Sequence, residues 1–287
     1  MKEKFAIVFS MVLWGSLGLF VKNIKLPAIE IAFVRALVAT ITFILLKFFL
    51  KNRIGKVRKK DIIILIFSGI ALGINWILLF EAFKYTSITN AILSYYMAPI
   101  VAVILGIVFL REKISGKEVV SILIAISGLV LILLQNDSSH TGSGSIVGII
   151  YGLTAAVFYA IVMVLNKQIE DLDSINKTLL QMGIACLILL PLVYGRQMLV
   201  VSDTKDFIFI LLIGIVHTAI PYALYFGNIP KVKIQTVGVM SYLDPVTALV
   251  LGIIVLGEPF TVFHAVGIGF IIFATIIQNR EREKLAN

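Results

Sequence analysis

The stretch Asn90–Glu112, NAILSYYMAPIVAVILGIVFLRE, carries a proline near the middle of an apolar run and ends in a carboxylate. A shift of 146 residues brings TVGVMSYLDPVTALVLGIIVLGE, Thr236–Glu258, into line with it. From Tyr96 to Glu112, eight of seventeen positions are identical, among them Tyr96/Tyr242, Pro99/Pro245, Gly106/Gly252 and Glu112/Glu258. Each copy is long enough to cross a bilayer, which takes roughly 20 helical residues. A proline at mid-span removes one backbone donor and crowds the carbonyl four residues back, here Tyr95 and Ser241. One such break in each half of a chain points to a transporter built from two repeats.

Composition agrees. The chain is 60% hydrophobic and 14% charged, too little polar surface to solvate an ordinary soluble domain of 287 residues. The formal charge of +9 does not indicate nucleic acid, because the basic residues cluster in short loops between apolar runs. There they face anionic lipid. With Cys186 as its single cysteine, the chain has no intrachain disulfide. The apolar run from Phe5 to Val21 is longer than a usual signal-peptide core and lacks a small-x-small cleavage pattern, so it is expected to be retained as a first span.

Ten spans can be drawn, near 5–21, 28–50, 62–83, 88–110, 117–135, 146–166, 175–195, 206–227, 234–256 and 261–278. The runs are continuous rather than alternating, so the expected fold is all-α, an integral membrane bundle of ten transmembrane helices. The first repeat is placed at 1–135, a connecting outer loop at 136–145 and the second repeat at 146–287. Nineteen Lys and Arg fall on the side of the N-terminus and five on the other, with Arg35 inside a span. This bias puts both termini in the cytoplasm of a cell membrane. Five spans per half is an odd number, so the two five-helix repeats enter the membrane from opposite sides and are inverted. The offset also pairs Arg35 with Gln181, Asn75 with Pro221 and Trp76 with Tyr222, and Trp14 with Tyr159 at 145.

Together these features give a pattern: WGS in the first span, Phe33 and Arg35 in the second, then AP…LG…L-x-E and DP…LG…LGEP. It resembles the EamA type of the drug/metabolite transporter superfamily over essentially the whole chain. The resemblance implies a ten-helix inner-membrane permease for small metabolites, often amino acids, commonly exporting them. Where that family often has Glu before the second proline, this chain has Asp244, and the first copy has Ala98.

Few residues could carry chemistry at membrane depth. Asp244 and His217 lie about eleven residues into their spans, where a carboxylate is either neutral or paired and where proton relays are built. Arg35 lies about seven residues into its span and is expected to face the interior, with Glu81 as a candidate partner; the alternatives are Arg35 snorkelling outward and Glu81 pairing with Lys84. Asn75, Trp76, Tyr95, Tyr96, Tyr222, Tyr225 and Tyr242 would give a pocket with aromatic walls and a few polar handles. Pro99 and Pro245 mark the helix breaks. Tyr225 is the one of this set that also suits an interfacial belt. Glu112 and Glu258, at span ends, are expected to cap helices or pair with Lys113 or a loop cation.

No phosphate loop, metal-ligand cluster or nucleophile–His–acid set is present, so no cofactor, metal or nucleic acid is expected. The reading is a non-enzymatic secondary transporter working by alternating access on a small-molecule substrate, an amino acid among the candidates, with protons as a candidate coupling ion. Membrane lipid is the expected surrounding, and the sequence does not fix the oligomeric state. The alternatives are a membrane-embedded enzyme acting on lipid and a non-transporting receptor or assembly subunit.

Overall fold

The computed structural model describes residues 2–21, 24, 26–49, 58–86, 88–134, 146–169, 172–194, 204–257 and 260–285. The expected connecting loop 136–145, Glu258, and the loop cations Lys51, Arg53, Lys56 and Arg196 lie outside the described residues.

All regular structure among the described residues is helical. Helices α1 (Lys2–Val21), α2 (Ala28–Phe49) and α3 (Lys59–Tyr85) are followed by α4 (Ile88–Tyr95) and α5 (Ala98–Leu110), which together form one apolar stretch. Then come α6 (Gly116–Leu134), α7 (Ile146–Lys167) and α8 (Ser174–Val193). Helices α9 (Thr204–Gly214) and α10 (Ile220–Asn228) are joined through a π turn at Ile215–Ala219, and α11 (Ile234–Ser241) and α12 (Leu243–Leu256) precede α13 (Val262–Leu285). Among the described residues, eight helical stretches are long and apolar enough to cross a membrane, and Val262–Gln278 adds a shorter apolar one. The chain is a multi-pass membrane protein. Its outward faces carry residues such as Phe5, Phe48, Phe67 and Phe109, at 60% exposure or more, as lipid solvation requires.

The two proline-bearing stretches are broken at the same repeat position. Helix α4 ends at Tyr95 and α5 begins at Ala98; α11 ends at Ser241 and α12 begins at Leu243. At the first break Ile100 and Val101 both donate to Met97 O, so the Tyr96 carbonyl loses its helical donor. The Tyr242 hydroxyl replaces it, at 3.2 Å. The far ends of the broken stretches match as well. Arg111 (φ 54°) and Gly257 (φ 68°), again 146 apart, are the positive-φ residues of the described chain. Each closes its helix in the left-handed conformation with its N–H on a glycine carbonyl, Gly106 O and Gly252 O.

Helix packing pairs α1 with α12 and α7 with α5, and α6 with α13. The α6–α13 contact is reciprocal: a β-carbon on Gly128 would stand 2.6 Å from Gly267 O, and one on Gly267 would stand 2.6 Å from Gly128 O. Only glycine lets the two backbones approach this closely. In α9–α10 the π turn precedes Pro221, which has no N–H to donate, and the Ile220 N–H reaches back five residues to Ile215 O.

Candidate functional site

A cavity of about 530 Å³ lies among the C-terminal half of α1, the N-terminal half of α2, the C-terminal half of α3 and the two helix breaks. Its wall reaches Val21, Ala28 and Phe83 at the ends of α1, α2 and α3, and its inner end is formed by Ala98, Pro99, Ser241 and Asp244 at the breaks. The volume suits a small molecule.

The wall is largely aromatic. Trp14 packs edge-on against Tyr222 (ring centroids 4.7 Å apart) and Tyr225 (5.2 Å), and Tyr222 meets Trp76 at 6.2 Å. Tyr95 contacts Tyr96 at 6.0 Å and Tyr159 at 5.8 Å. Such ring pairs hold one another in fixed orientations, each contributing about 0.5–1.5 kcal/mol beyond area burial.

Two side chains of opposite charge break this apolar lining. The Arg35 guanidinium lies over the Trp76 ring, 4.8 Å from its centroid. It faces the cavity rather than the lipid headgroups. The Asp244 carboxyl sits in the first turn of α12, beside the Tyr96 side chain. Among the described residues neither has an ion-pair partner. Arg35 Nε is buried and without a hydrogen bond, as is Trp14 Nε1. The contact with Trp76 contributes about 0.5–2 kcal/mol. The buried Nε without a hydrogen bond favours an anion at the guanidinium.

The expected Arg35–Glu81 pair does not form. Glu81 is bonded to Lys84, one helical turn along α3, and Arg35 takes the aromatic face instead. The local i,i+3 pair needs no long reach across the bundle, which is why it wins.

The sequence-derived residues divide into three groups. Arg35, Trp76, Tyr96, Tyr222, Asp244 and Pro99 line the cavity, together with Tyr95. Asn75 and Tyr242 are buried behind it: Asn75 Nδ2 donates to Ala155 O at 2.7 Å, tying α3 to α7, and the Tyr242 hydroxyl bridges the two breaks. Pro245 is buried within the first turn of α12. His217 stands apart, at the π turn, with Nε2 3.0 Å from Ser16 Oγ and its ring on Phe20 at 4.5 Å. Tyr225 is no interfacial residue, since it is fully buried between Trp14 and Phe226. Trp14 and Tyr159 line the cavity but were not among the sequence candidates. Their signal was present, for they are the 145-offset pair of aromatics, one in each half.

The chain is thus a multi-pass helical bundle with two broken helices and a charged, aromatic cavity at the breaks. The EamA-like transporter family matches residues 1–134 and 146–280. The chain belongs to that family. It is 33% identical over 283 residues to the uncharacterized transporter YxxF of Bacillus subtilis (strain 168), covering 98% of this chain and 90% of that one. An uncharacterized transporter of Archaeoglobus fulgidus is 26% identical, with 96% of each chain covered. Protein RarD of Salmonella typhi is 24% identical over 69% of this chain and 66% of its own. A crystal structure with 16% identity superposes with a TM-score of 0.83, covering 96% of this chain and 98% of that one, and so shares the fold.

Proposed function

We propose that the protein is a secondary transporter of the cell membrane that moves a small zwitterionic metabolite, an amino acid among the candidates, by alternating access in the export direction. The observation that carries this is the pair Arg35 and Asp244, opposite charges on one cavity with no ion-pair partner of their own among the described residues. A ligand with a carboxylate and an ammonium satisfies both, while the rings of Trp14, Trp76 and Tyr222 surround its apolar part. A ligand with one charge leaves the other uncompensated in a low-dielectric setting, and this is how the site discriminates.

Alternating access is supported by the internal repeat. Trp76 touches Tyr222, and Tyr242 bonds Tyr96; each pair is related by the 146-residue offset. Residues that touch their own repeat mates lie near a pseudo-two-fold axis. The family match divides the chain on either side of 136–145, which supports five helices per half and ten in all. With both termini cytoplasmic, as the basic-residue bias favours, the end marked by Val21, Ala28 and Phe83 is outer. The cavity then faces outward, and protons are the proposed coupling ion, exchanged at Asp244.

The test uses the protein's own fluorescence. Trp14 and Trp76 are its two tryptophans, and both line the cavity. Titration of purified protein with a panel of α-amino acids is expected to change tryptophan emission saturably for some members, and to leave it unchanged for their decarboxylated amines. Equal responses to amino acid and amine would remove the zwitterion reading.

A further inference from the structure

The cavity wall ends at the helix breaks, and beyond them a polar cluster outside the cavity lining ties the helices together. Glu112, at the end of α5, accepts the Ile234 N–H at the start of α11, with Oε2 3.1 Å away. Its other oxygen lies 3.6 Å from Lys167 Nζ at the end of α7. Lys167 also donates to the carbonyls of Pro230 and Val232, in the segment that joins α10 to α11. A second tie sits alongside. Lys233 Nζ is 3.1 Å from Glu118 Oε1, while Glu118 Oε2 accepts the Ser115 N–H at 2.7 Å and so caps α6. Both acids therefore hold the α10–α11 segment to helices of the other half of the chain. Glu112 was expected to cap or to pair with Lys113 or a loop cation; it does cap a helix, but one 122 residues away.

A further feature sets this region apart from ordinary packing. Gln235, the second residue of α11, is fully buried, and neither its Oε1 nor its Nε2 has a hydrogen-bond partner. An orphaned amide raises the free energy of the closed arrangement that holds it. The ties must hold against it, and a rearrangement that wets the start of α11 would relieve it.

We propose that the Glu112–Lys167 pair, clasping the first turn of α11, is the latch that keeps this end of the transporter shut while the cavity is open at the other. The proposal rests on the transporter reading above. Its parts are charge-assisted hydrogen bonds to backbone, which are short-ranged and lost together when α11 moves. Glu118–Lys233 serves as a secondary tie. Opening this end requires Glu112 to release the Ile234 N–H and Lys167 to release two carbonyls. The freed donors and acceptors, with Gln235, are then met by water.

The experiment uses full-length protein in a Cys186→Ala background, purified in detergent so that both ends are reachable. One reporter is Val232→Cys, fully buried at the latch; the other is Leu17→Cys, on the cavity wall. A hydrophilic thiol reagent is expected to label Leu17→Cys readily and Val232→Cys slowly. Lys167→Met should raise labelling of Val232→Cys by about tenfold and lower that of Leu17→Cys, as losing charge-assisted bonds shifts the population toward the other state. Lys167→Arg, which keeps donors toward the carbonyls, should restore the parent pattern. Glu112→Gln should act in the same direction as Lys167→Met. The proposal is overturned if Lys167→Met leaves both rates unchanged. It is overturned equally if both reporters speed up together with a fall in melting temperature, because that is general loosening. These readings need no substrate, so failure of the transport reading shows separately, as absence of ligand response in the parent.

Discussion

The Tyr242 hydroxyl donates to the carbonyl of Tyr96 at 3.2 Å, joining two residues that stand 146 positions apart at the same place in two copies of one sequence pattern. The break at Tyr96–Met97 frees that carbonyl, and the other copy supplies the donor. Tyr242→Phe removes the bond and leaves the carbonyl without this donor. A stability loss of about 1–3 kcal/mol is expected, read as a lower melting temperature in detergent. An unchanged melting temperature would mean that water replaces the hydroxyl without cost.

Pro99 and Pro245 stand in the first turns of α5 and α12, just past the breaks. Alanine restores the missing donor and favours one continuous helix. Pro99→Ala and Pro245→Ala are expected to leave expression and folding intact while slowing exchange between the inward- and outward-open states. Turnover equal to the parent in both single variants and in the double variant would show the bends to be only structural.

Arg111 and Gly257 end their helices in the same left-handed conformation, but only one of them is glycine. A side chain at such a φ costs about 1–2 kcal/mol. Arg111→Gly is therefore expected to raise thermal stability, by an amount reduced by the greater freedom of glycine in the unfolded chain. A fall in melting temperature would show that the exposed guanidinium makes a stabilising contact outweighing the strain.

Gly15 lies where α1 crosses α12. A β-carbon there would stand 2.5 Å from the Asp244 carbonyl oxygen and 2.6 Å from Thr247 Cβ. Gly15→Ala must push the two helices apart and shift Asp244, for a cost of about 1–3 kcal/mol. Ligand response should weaken along with stability. Normal ligand response in this variant would show that α12 tolerates the shift without moving its carboxylate.

Much of this was legible in the sequence because it rests on local rules. Apolar runs of membrane length and prolines at equal offsets each specify backbone by themselves, and helices and breaks followed; the left-handed caps at Arg111 and Gly257 were not read from the sequence. What was not legible depends on which surfaces meet. Arg35 turns to Trp76 because α2 and α3 place the ring there, whereas its expected partner Glu81 is satisfied by Lys84. Glu112 reaches Lys167 and Ile234, and His217 reaches Ser16, across sequence separations that no local pattern encodes. The π turn before Pro221 has no counterpart in the first repeat, where Asn75 occupies the matching position within an unbroken α3.

Orientation is tested by single cysteines at Ser139 and at Asn287 in a Cys186→Ala background, both positions outside the described residues. An impermeant thiol reagent on whole cells is expected to label the first and not the second. The reverse pattern would invert the topology and turn the cavity toward the cytoplasm.

The central claim is that one cavity binds a zwitterion through Arg35 and Asp244 and carries it across the membrane. Counterflow of labelled α-amino acids into proteoliposomes preloaded with the unlabelled compounds, with and without a pH gradient, measures this directly. The parent protein is expected to exchange at least one of them saturably. Arg35→Met should lose exchange altogether, and Asp244→Asn should weaken exchange and lose its gradient-driven component. Exchange by both variants at the parent rate, or no uptake by the parent above protein-free vesicles for any zwitterion in the panel, would contradict it.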